Sequence, residues 1–229
     1  MIIYGINPVR EAIRSQQIHV QQVWLAVKKP GFALGHVPVT RTDKGTIGKL
    51  TGTSSHQGIA AEIGDFPYAD EHGPLSADQP MNLVMLDRVN DPHNLGAVIR
   101  VCEGAGVDAV IIGRRFGTGV TAAVFKVSAG AAAHLPVISV ESLPHYAGQL
   151  KDAGFKLLAV EAGEGALPLA EIDRLSGGKN LFLFGSEGEG MSRNLLEKAD
   201  IRMELPMKGH VNSLNLSTSV AATLYRLII

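Results

Sequence analysis

Residues 83–102 read Leu-Val-Met-Leu-Asp-Arg-Val-Asn-Asp-Pro-His-Asn-Leu-Gly-Ala-Val-Ile-Arg-Val-Cys. An apolar run, Leu83–Leu86, has the length and bulk of a buried strand. A polar stretch rich in turn formers follows it. Leu95, Val98, Ile99 and Cys102 then recur at i, i+3, i+4 and i+7, which is one face of a helix. Further strand-like runs stand downstream at Ala109–Ile112, Val137–Val140, Lys156–Val160, Leu181–Phe184 and Arg202–Leu205. Helical stretches at Ser142–Lys151 and Ser192–Ala199 lie between them, each opened by a serine suited to an N-cap. Alternation of this kind predicts an α/β domain, a parallel sheet covered by helices on both faces. The last segment, Leu214–Ile228, repeats Leu216, Val220, Leu224, Leu227 and Ile228 on a helical period and serves either a core or a dimer.

Upstream, Phe66 to Pro80 holds three prolines and little periodicity, so residues 67–80 read as a linker. Residues 1–66 before it are small for an independent core but sufficient. They begin with a strand, Ile2–Tyr4, and a turn at Gly5–Pro8 entering a helix with Val9, Ala12 and Ile13. A strand near Val23–Val27 and a turn with a closing strand over Gly52–Glu62 complete the piece. The 229 residues are 45% hydrophobic and 19% charged, a globular composition. No apolar run approaches the roughly 18–20 residues that a membrane span needs. The N-terminus lacks a basic segment leading into an apolar one, and the one cysteine, Cys102, has no internal disulfide partner. A cytoplasmic protein is the expectation. The net charge of −1 does not point to nucleic acid, although residues 1–66 carry seven Lys/Arg against four Asp/Glu.

Ligands of open parallel sheets bind beyond the carboxyl ends of the strands, and three such loops hold the polar chemistry. In the first, residues 87–100, Asn94 stands where a helix N-cap is expected. Arg100 lies off the apolar face, either solvated or gripping phosphate oxygens in pairs. The second reads Gly185-Ser-Glu-Gly-Glu-Gly-Met-Ser192. Its glycines allow backbone to approach a ligand. Glu187 and Glu189 make it a poor phosphate cradle and suit a positive centre such as a sulfonium, unless the loop is only a tight turn with solvated carboxylates. The third, residues 205–217, concentrates Asn212, Ser213, Asn215 and Ser217, which bond backbone and ligand hydroxyls. Taken alone it is an elaborate N-cap. Dinucleotide, P-loop and G-x-S-x-G signatures are absent, and the eight histidines show no ligand spacing, so no metal is expected.

At these loops the chain resembles the SpoU (TrmH-like) family of the SPOUT methyltransferase superfamily. Asp91-Pro92-His93-Asn94-Leu95-Gly96-Ala97 through Arg100 is similar to its first motif. Leu183 through Met191 is similar to the second. Pro206-Met207 with Ser213-Leu214-Asn215-Leu216-Ser217 is similar to the third. Ile3-Tyr4-Gly5-Ile6-Asn7-Pro8-Val9 and His56-Gln57-Gly58-Ile59 resemble the small RNA-binding, L30e-like domain of the RlmB-type members. The resemblance implies an L30e-like domain over 1–66 and a SPOUT domain with a trefoil knot over 81–229. It implies S-adenosyl-L-methionine held against backbone at Gly185, Leu205 and Leu214, and pairing of two subunits through the C-terminal domain. Asn94, Arg100, Glu187, Ser213 and Asn215 become the candidates for acceptor binding and catalysis. The implied reaction is 2′-O-ribose methylation of RNA, with a guanosine of 23S rRNA, free or in an assembling large-subunit particle, as acceptor. A guanidinium stays protonated at physiological pH. Arg100 is therefore read as a stabiliser of the developing alkoxide or a phosphate clamp, with Glu187 or water taking the proton. The competing readings are a tRNA 2′-O-methyltransferase, which in that branch generally lacks the small domain, and an RNA-binding protein without methyl chemistry. A resistance methyltransferase of the same architecture is a further reading, whereas a Rossmann oxidoreductase lacks its glycine fingerprint.

Overall fold

The computed structural model describes every residue except Phe116 and Asn212, so the third-loop Asn212 lies outside the described residues. The chain begins with β1 (Ile2–Tyr4), α1 (Ile6–Arg14), β2 (Val20–Leu25), β3 (Val39–Arg41), α2 (Lys44–Thr51) and β4 (Ile59–Ile63). It continues through α3 (His72–Ser76), β5 (Met81–Leu86), α4 (Pro92–Gly104), β6 (Ala109–Gly113) and α5 (Ala122–Val127). Then come β7 (Val137–Val140), α6 (Leu143–Asp152), β8 (Lys156–Val160) and β9 (Leu167–Pro168). It closes with β10 (Lys179–Phe184), α7 (Arg193–Leu196), β11 (Ile201–Glu204) and α8 (Leu216–Leu227). Two compact units result, Met1–Pro67 with Val120–His134, and Tyr68–Gly119 with Leu135–Ile229.

The smaller unit is built on a four-stranded sheet of order β1-β4-β2-β3, antiparallel except for the β2/β3 pair. Register sets Ile3 and Val23 on either side of Ala61, and all three are fully buried. Val9 and Ala12 of α1 and Ile47 of α2 complete this apolar layer. Residues 120–134 belong to this unit, although the sequence reading assigned them to the C-terminal domain. Phe125 meets Phe66 edge-on at 6.0 Å, and His134 Nε2 lies 3.1 Å from Glu11 Oε2. Burial works to raise the Glu11 carboxyl. Hydrogen bonds from Arg10 and His134, with the charges of Arg10 and Arg14, outweigh it and hold Glu11 below the usual range. These partners are far apart in sequence, so no local period announces them.

The larger unit carries a seven-stranded sheet of order β7-β6-β5-β10-β8-β11-β9, parallel at every pairing. Leu83, Met85, Ile111, Leu157, Leu181 and Leu183 share one buried cluster with Tyr146, Ala147 and Leu150 of α6 and Leu195 of α7. Val84, Val110, Leu158 and Phe182, which alternate with them, are equally buried on the other face. Both faces are covered, as parallel sheets require. Here α4 contacts β6 and packs along α8. Among the described residues no helix is long and apolar enough to cross a membrane.

Three local expectations need correction. The stretch read as a linker is docked: Ala69 N donates to the Val137 carbonyl at 2.8 Å, and Tyr146 Oη donates to the Glu71 carbonyl at 2.6 Å. The helix read at Ser192–Ala199 is a single turn, α7. The N-cap of α4 is Asp91, whose Oδ1 accepts from His93 N at 2.8 Å, with Pro92 in the first turn. Proline is favoured there because its missing N–H would have no helical partner. Asn94 thus sits inside the first turn, and its side chain is released from capping.

Candidate functional site

Strands β5, β10 and β8 are neighbours, and register pairs Phe184 with both Leu86 and Val160. The next residues, Asp87, Gly185 and Glu161, therefore leave the sheet at one level. The β10 loop closes on itself through Ser186 and Gly190, whose amides and carbonyls exchange hydrogen bonds of 3.2 and 3.1 Å. A Cβ on residue 185 would collide with the Gly190 carbonyl carbon and the Met191 nitrogen, so only glycine permits the closure. Two carboxylates then pin the loop's exit. Glu161 Oε2 accepts from Met191 N at 2.7 Å, and the buried Asp87 accepts from Ser192 N through Oδ2 at 2.7 Å. Each holds an otherwise unpaired amide by a charge-assisted bond. Arg202 of β11 ties down the segment after β8, donating to the carbonyls of Glu161 at 3.1 Å and Ala162 at 2.7 Å.

The loops after β8, β10 and β11 enclose a cavity of about 300 Å³, lined in part by Glu161, Gly185, Glu187, Leu205, Ser213 and Leu214. That volume is at the low end of small-molecule sites. Phe184 and Leu216 supply apolar wall, Gly185 and Gly190 bring backbone to the surface, and the charged groups are carboxylates. A second cavity, about 320 Å³, opens beside it between the loop after β5 and the β10 loop. The two share Ser186, Glu187 and Leu216.

The three polar residues Asn94, Glu187 and Asn215 meet where the cavities join. Asn215 is the N-cap of α8, and its Oδ1 accepts from Ser217 N at 3.0 Å. That backbone donor fixes the amide's orientation. Nδ2 therefore faces acceptors, donating to Glu187 Oε1 at 2.8 Å and, more weakly, to Asn94 Oδ1 at 3.4 Å. Glu187 Oε1 also accepts from Leu216 N at 2.9 Å, at the positive end of α8. Arg100 is exposed on α4, lines neither cavity, and has no hydrogen-bond or ion-pair partner among the described residues. Of the residues singled out from sequence, Gly185, Glu187, Leu205, Ser213 and Leu214 line the first cavity, Asn94 and Glu187 line the second, and Asn215 bonds to Glu187, while Asp87 and Glu161 had been given no role. Their signal was an acidic residue directly following a buried apolar strand. Cys102, which the sequence reading set on the buried face of α4, has no part in the cleft, and burial pushes its thiol well above the usual range.

A parallel α/β sheet with two adjoining cavities at its carboxyl edge, one of them built on a pinned glycine loop, places the candidate site where open sheets of this class bind their ligands. Comparison with known proteins narrows the class. Residues 81–225 match the SpoU rRNA Methylase family, and residues 2–69 match the RNA 2′-O ribose methyltransferase substrate binding family. A TrmH family tRNA/rRNA methyltransferase of Staphylococcus aureus is 35% identical over 222 residues, 95% of this chain and 85% of that protein. The fold is similar to that of an AdoMet-bound rRNA methyltransferase from Sinorhizobium meliloti, with a TM-score of 0.81 at 22% identity over 98% of this chain and 85% of that one. A TrmH/SpoU tRNA modifying enzyme of A. aeolicus covers 68% of this chain and 78% of its own, with a TM-score of 0.58 at 23% identity. This chain belongs to the SpoU (TrmH-like) family of RNA methyltransferases.

Proposed function

We propose that this protein methylates a ribose 2′-hydroxyl of RNA with S-adenosyl-L-methionine as donor, and that the acceptor is a guanosine of 23S rRNA. The observation that carries the reading is the convergence of Asn94, Glu187 and Asn215 at the junction of the two cavities. The larger share of apolar wall, the exposed backbone and the carboxylates of the first cavity suit a cationic nucleoside donor, which Gly185, Leu205 and Leu214 would hold. When bound, that donor supplies an electrophilic methyl group.

The protein's own task is positioning and charge. Ribose in the second cavity meets Asn94, whose Oδ1 is already engaged and whose NH2 remains to donate. Asn215, held by Glu187 and Ser217, keeps that amide in place. Holding the two reactants in line supplies much of a transfer rate. Oε1 of Glu187 is taken by Asn215 and Leu216, and Oε2 is the oxygen we assign to accept the hydroxyl proton. Ser213 contributes a hydroxyl to the donor wall. Arg100, exposed on α4 and outside both cavities in the free protein, is assigned to swing onto the acceptor once RNA is bound, stabilising the alkoxide or clamping its phosphate.

Preference for rRNA over tRNA rests on extent: the rRNA methyltransferase neighbour aligns with nearly the whole chain, the tRNA-modifying one with about two thirds. The trefoil knot, action in the cytoplasm and pairing of two subunits through the C-terminal domain belong to the same proposal. The exposed Tyr225 on α8 and Ile229 just after it are apolar groups such pairing would cover. The deciding experiment maps ribose methylation across 23S rRNA and tRNA in a strain lacking this protein. One lost 2′-O-methyl guanosine in 23S rRNA is the expected result. A lost tRNA methyl instead moves the substrate, and an unchanged map with no donor binding by calorimetry overturns the reading.

A further inference from the structure

Arg88 follows the buried Asp87 and has φ +57°, the left-handed conformation that side-chain-bearing residues seldom adopt. Such outliers persist where the surroundings fix them and gather at working sites. Here the surroundings are visible: Asp87 N donates to the Phe184 carbonyl at 2.9 Å, and its carboxylate holds Ser192 N. The Arg88 side chain reaches the β10 loop, where Nη1 lies 3.1 Å from Glu189 Oε2. Both side chains are substantially exposed, 40% and 71%. An exposed pair of this kind contributes little to stability, which leaves Arg88 free to change partners.

The second cavity gives that exchange a direction. Its lining includes the carboxylates of Asp91, Glu187 and Glu189 and, among the described residues, one cation, Arg88. A ribose entering it beside Asn94 brings a phosphate on each side, and an otherwise acidic rim repels them. We propose that Arg88 leaves Glu189 to clamp a phosphate next to the acceptor ribose, so that Glu189 is an internal competitor that sets RNA affinity. A guanidinium pairs with two phosphate oxygens at once, a geometry the single contact to Glu189 does not use. This inference rests on the RNA-methyltransferase reading of the same cleft.

The test measures binding of unmodified 23S rRNA transcript across a salt series, with donor affinity by calorimetry as the control. Arg88→Ala is expected to weaken RNA binding about tenfold and lower the slope of log K against log salt by about 0.7–0.9, one phosphate contact. Arg88→Gly, which suits the positive φ, should behave the same, separating lost charge from relieved backbone. Glu189→Gln should tighten RNA binding severalfold, a gain that a merely structural pair would not give. Donor affinity should hold in all three. Unchanged salt slopes in the Arg88 variants, or weaker binding in Glu189→Gln, sink the phosphate clamp while leaving methyl transfer by the wild type intact. A wild type that binds neither donor nor RNA overturns the parent reading and this one with it.

Discussion

The two cavities at the carboxyl edge of the sheet share Ser186, Glu187 and Leu216 yet are made of different material. The side proposed for the donor is shaped by backbone: a glycine loop closed on itself, with its exit amides held by Asp87 and Glu161 from the strands on either side. The side proposed for the acceptor presents side chains: Arg88, Asn90, Asp91 and Glu189 stand exposed or half-buried, and Arg100 beyond them is unpaired among the described residues. A backbone site can be shaped before its ligand arrives and needs fastening to keep that shape. An exposed side-chain site pays its ordering cost when the partner binds. The difference fits a small invariant donor on one side and a large polyanion on the other.

The largest effect that would test this contrast is expected at Gly185. Gly185→Ala drives a methyl group into the Gly190–Met191 peptide, and since backbone cannot swing aside as a side chain can, the loop must open. Donor binding should fall below calorimetric detection, with a stability loss of about 1–3 kcal/mol from overpacking. Donor affinity within a few-fold of wild type would break the claim that backbone builds that side. The next effect belongs to the acceptor side. Arg100→Ala should lower turnover on the order of 10²–10³-fold, the range for removing one transition-state donor, with donor affinity unchanged. Arg100→Lys should recover little, because an ammonium cannot bond in pairs. If the lysine variant keeps most of the rate and the RNA affinity, paired clamping is wrong. A loss of donor affinity in either variant would erase the division between the two sides.

What the sequence made legible follows the range of the interactions. Strand runs such as Val137–Val140 and Lys156–Val160 coincide with β7 and β8, because burial on both faces leaves a continuous apolar run. Gly185, Glu187, Leu205, Ser213 and Leu214 do line one cavity, since loops leaving the same edge of a parallel sheet are brought together by topology alone. Asn94 was misread locally. Either Asp91 or Asn94 could cap the helix, and the choice fell to Asp91 through Pro92, whose missing N–H suits the first turn. Asp87 and Glu161 went unread because their partners, Ser192 and Met191, are more than 100 and about 30 residues away. No periodicity encodes a carboxylate meeting an amide across strands paired only in the fold. The placement of residues 120–134 with the small unit is hidden for the same reason, as Phe125 finds Phe66 and His134 finds Glu11 only in three dimensions.

The smallest expected effect comes from the opposite end of the same strands. Asp200, just before β11, accepts from Leu157 N through Oδ2 at 2.8 Å and pairs with Lys151 Nζ at 2.6 Å through Oδ1. Burial works to raise its carboxyl. The bonds from Leu157 and Lys151, with the charges of Lys151 and Lys156, overcome that and hold it below the usual range. A carboxyl lowered by folding stabilises the native state above its unfolded value, and the contribution fades as pH falls through the folded value. Asp200→Asn keeps an acceptor for Leu157 but loses the ion pair, so thermal unfolding at neutral pH should show a loss of about 0.2–1 kcal/mol. As the medium is acidified below the ordinary carboxylate range, the wild type should lose this advantage and the two melting curves should converge. Donor affinity at neutral pH should be unchanged, because Asp200 fastens the amino-terminal edge of β8 and β11 while Glu161 fastens the carboxyl edge. A variant that melted normally yet bound donor weakly would mean that the glycine loop is shaped by the whole sheet, and the contrast between a locally pinned side and a free one would have to be given up.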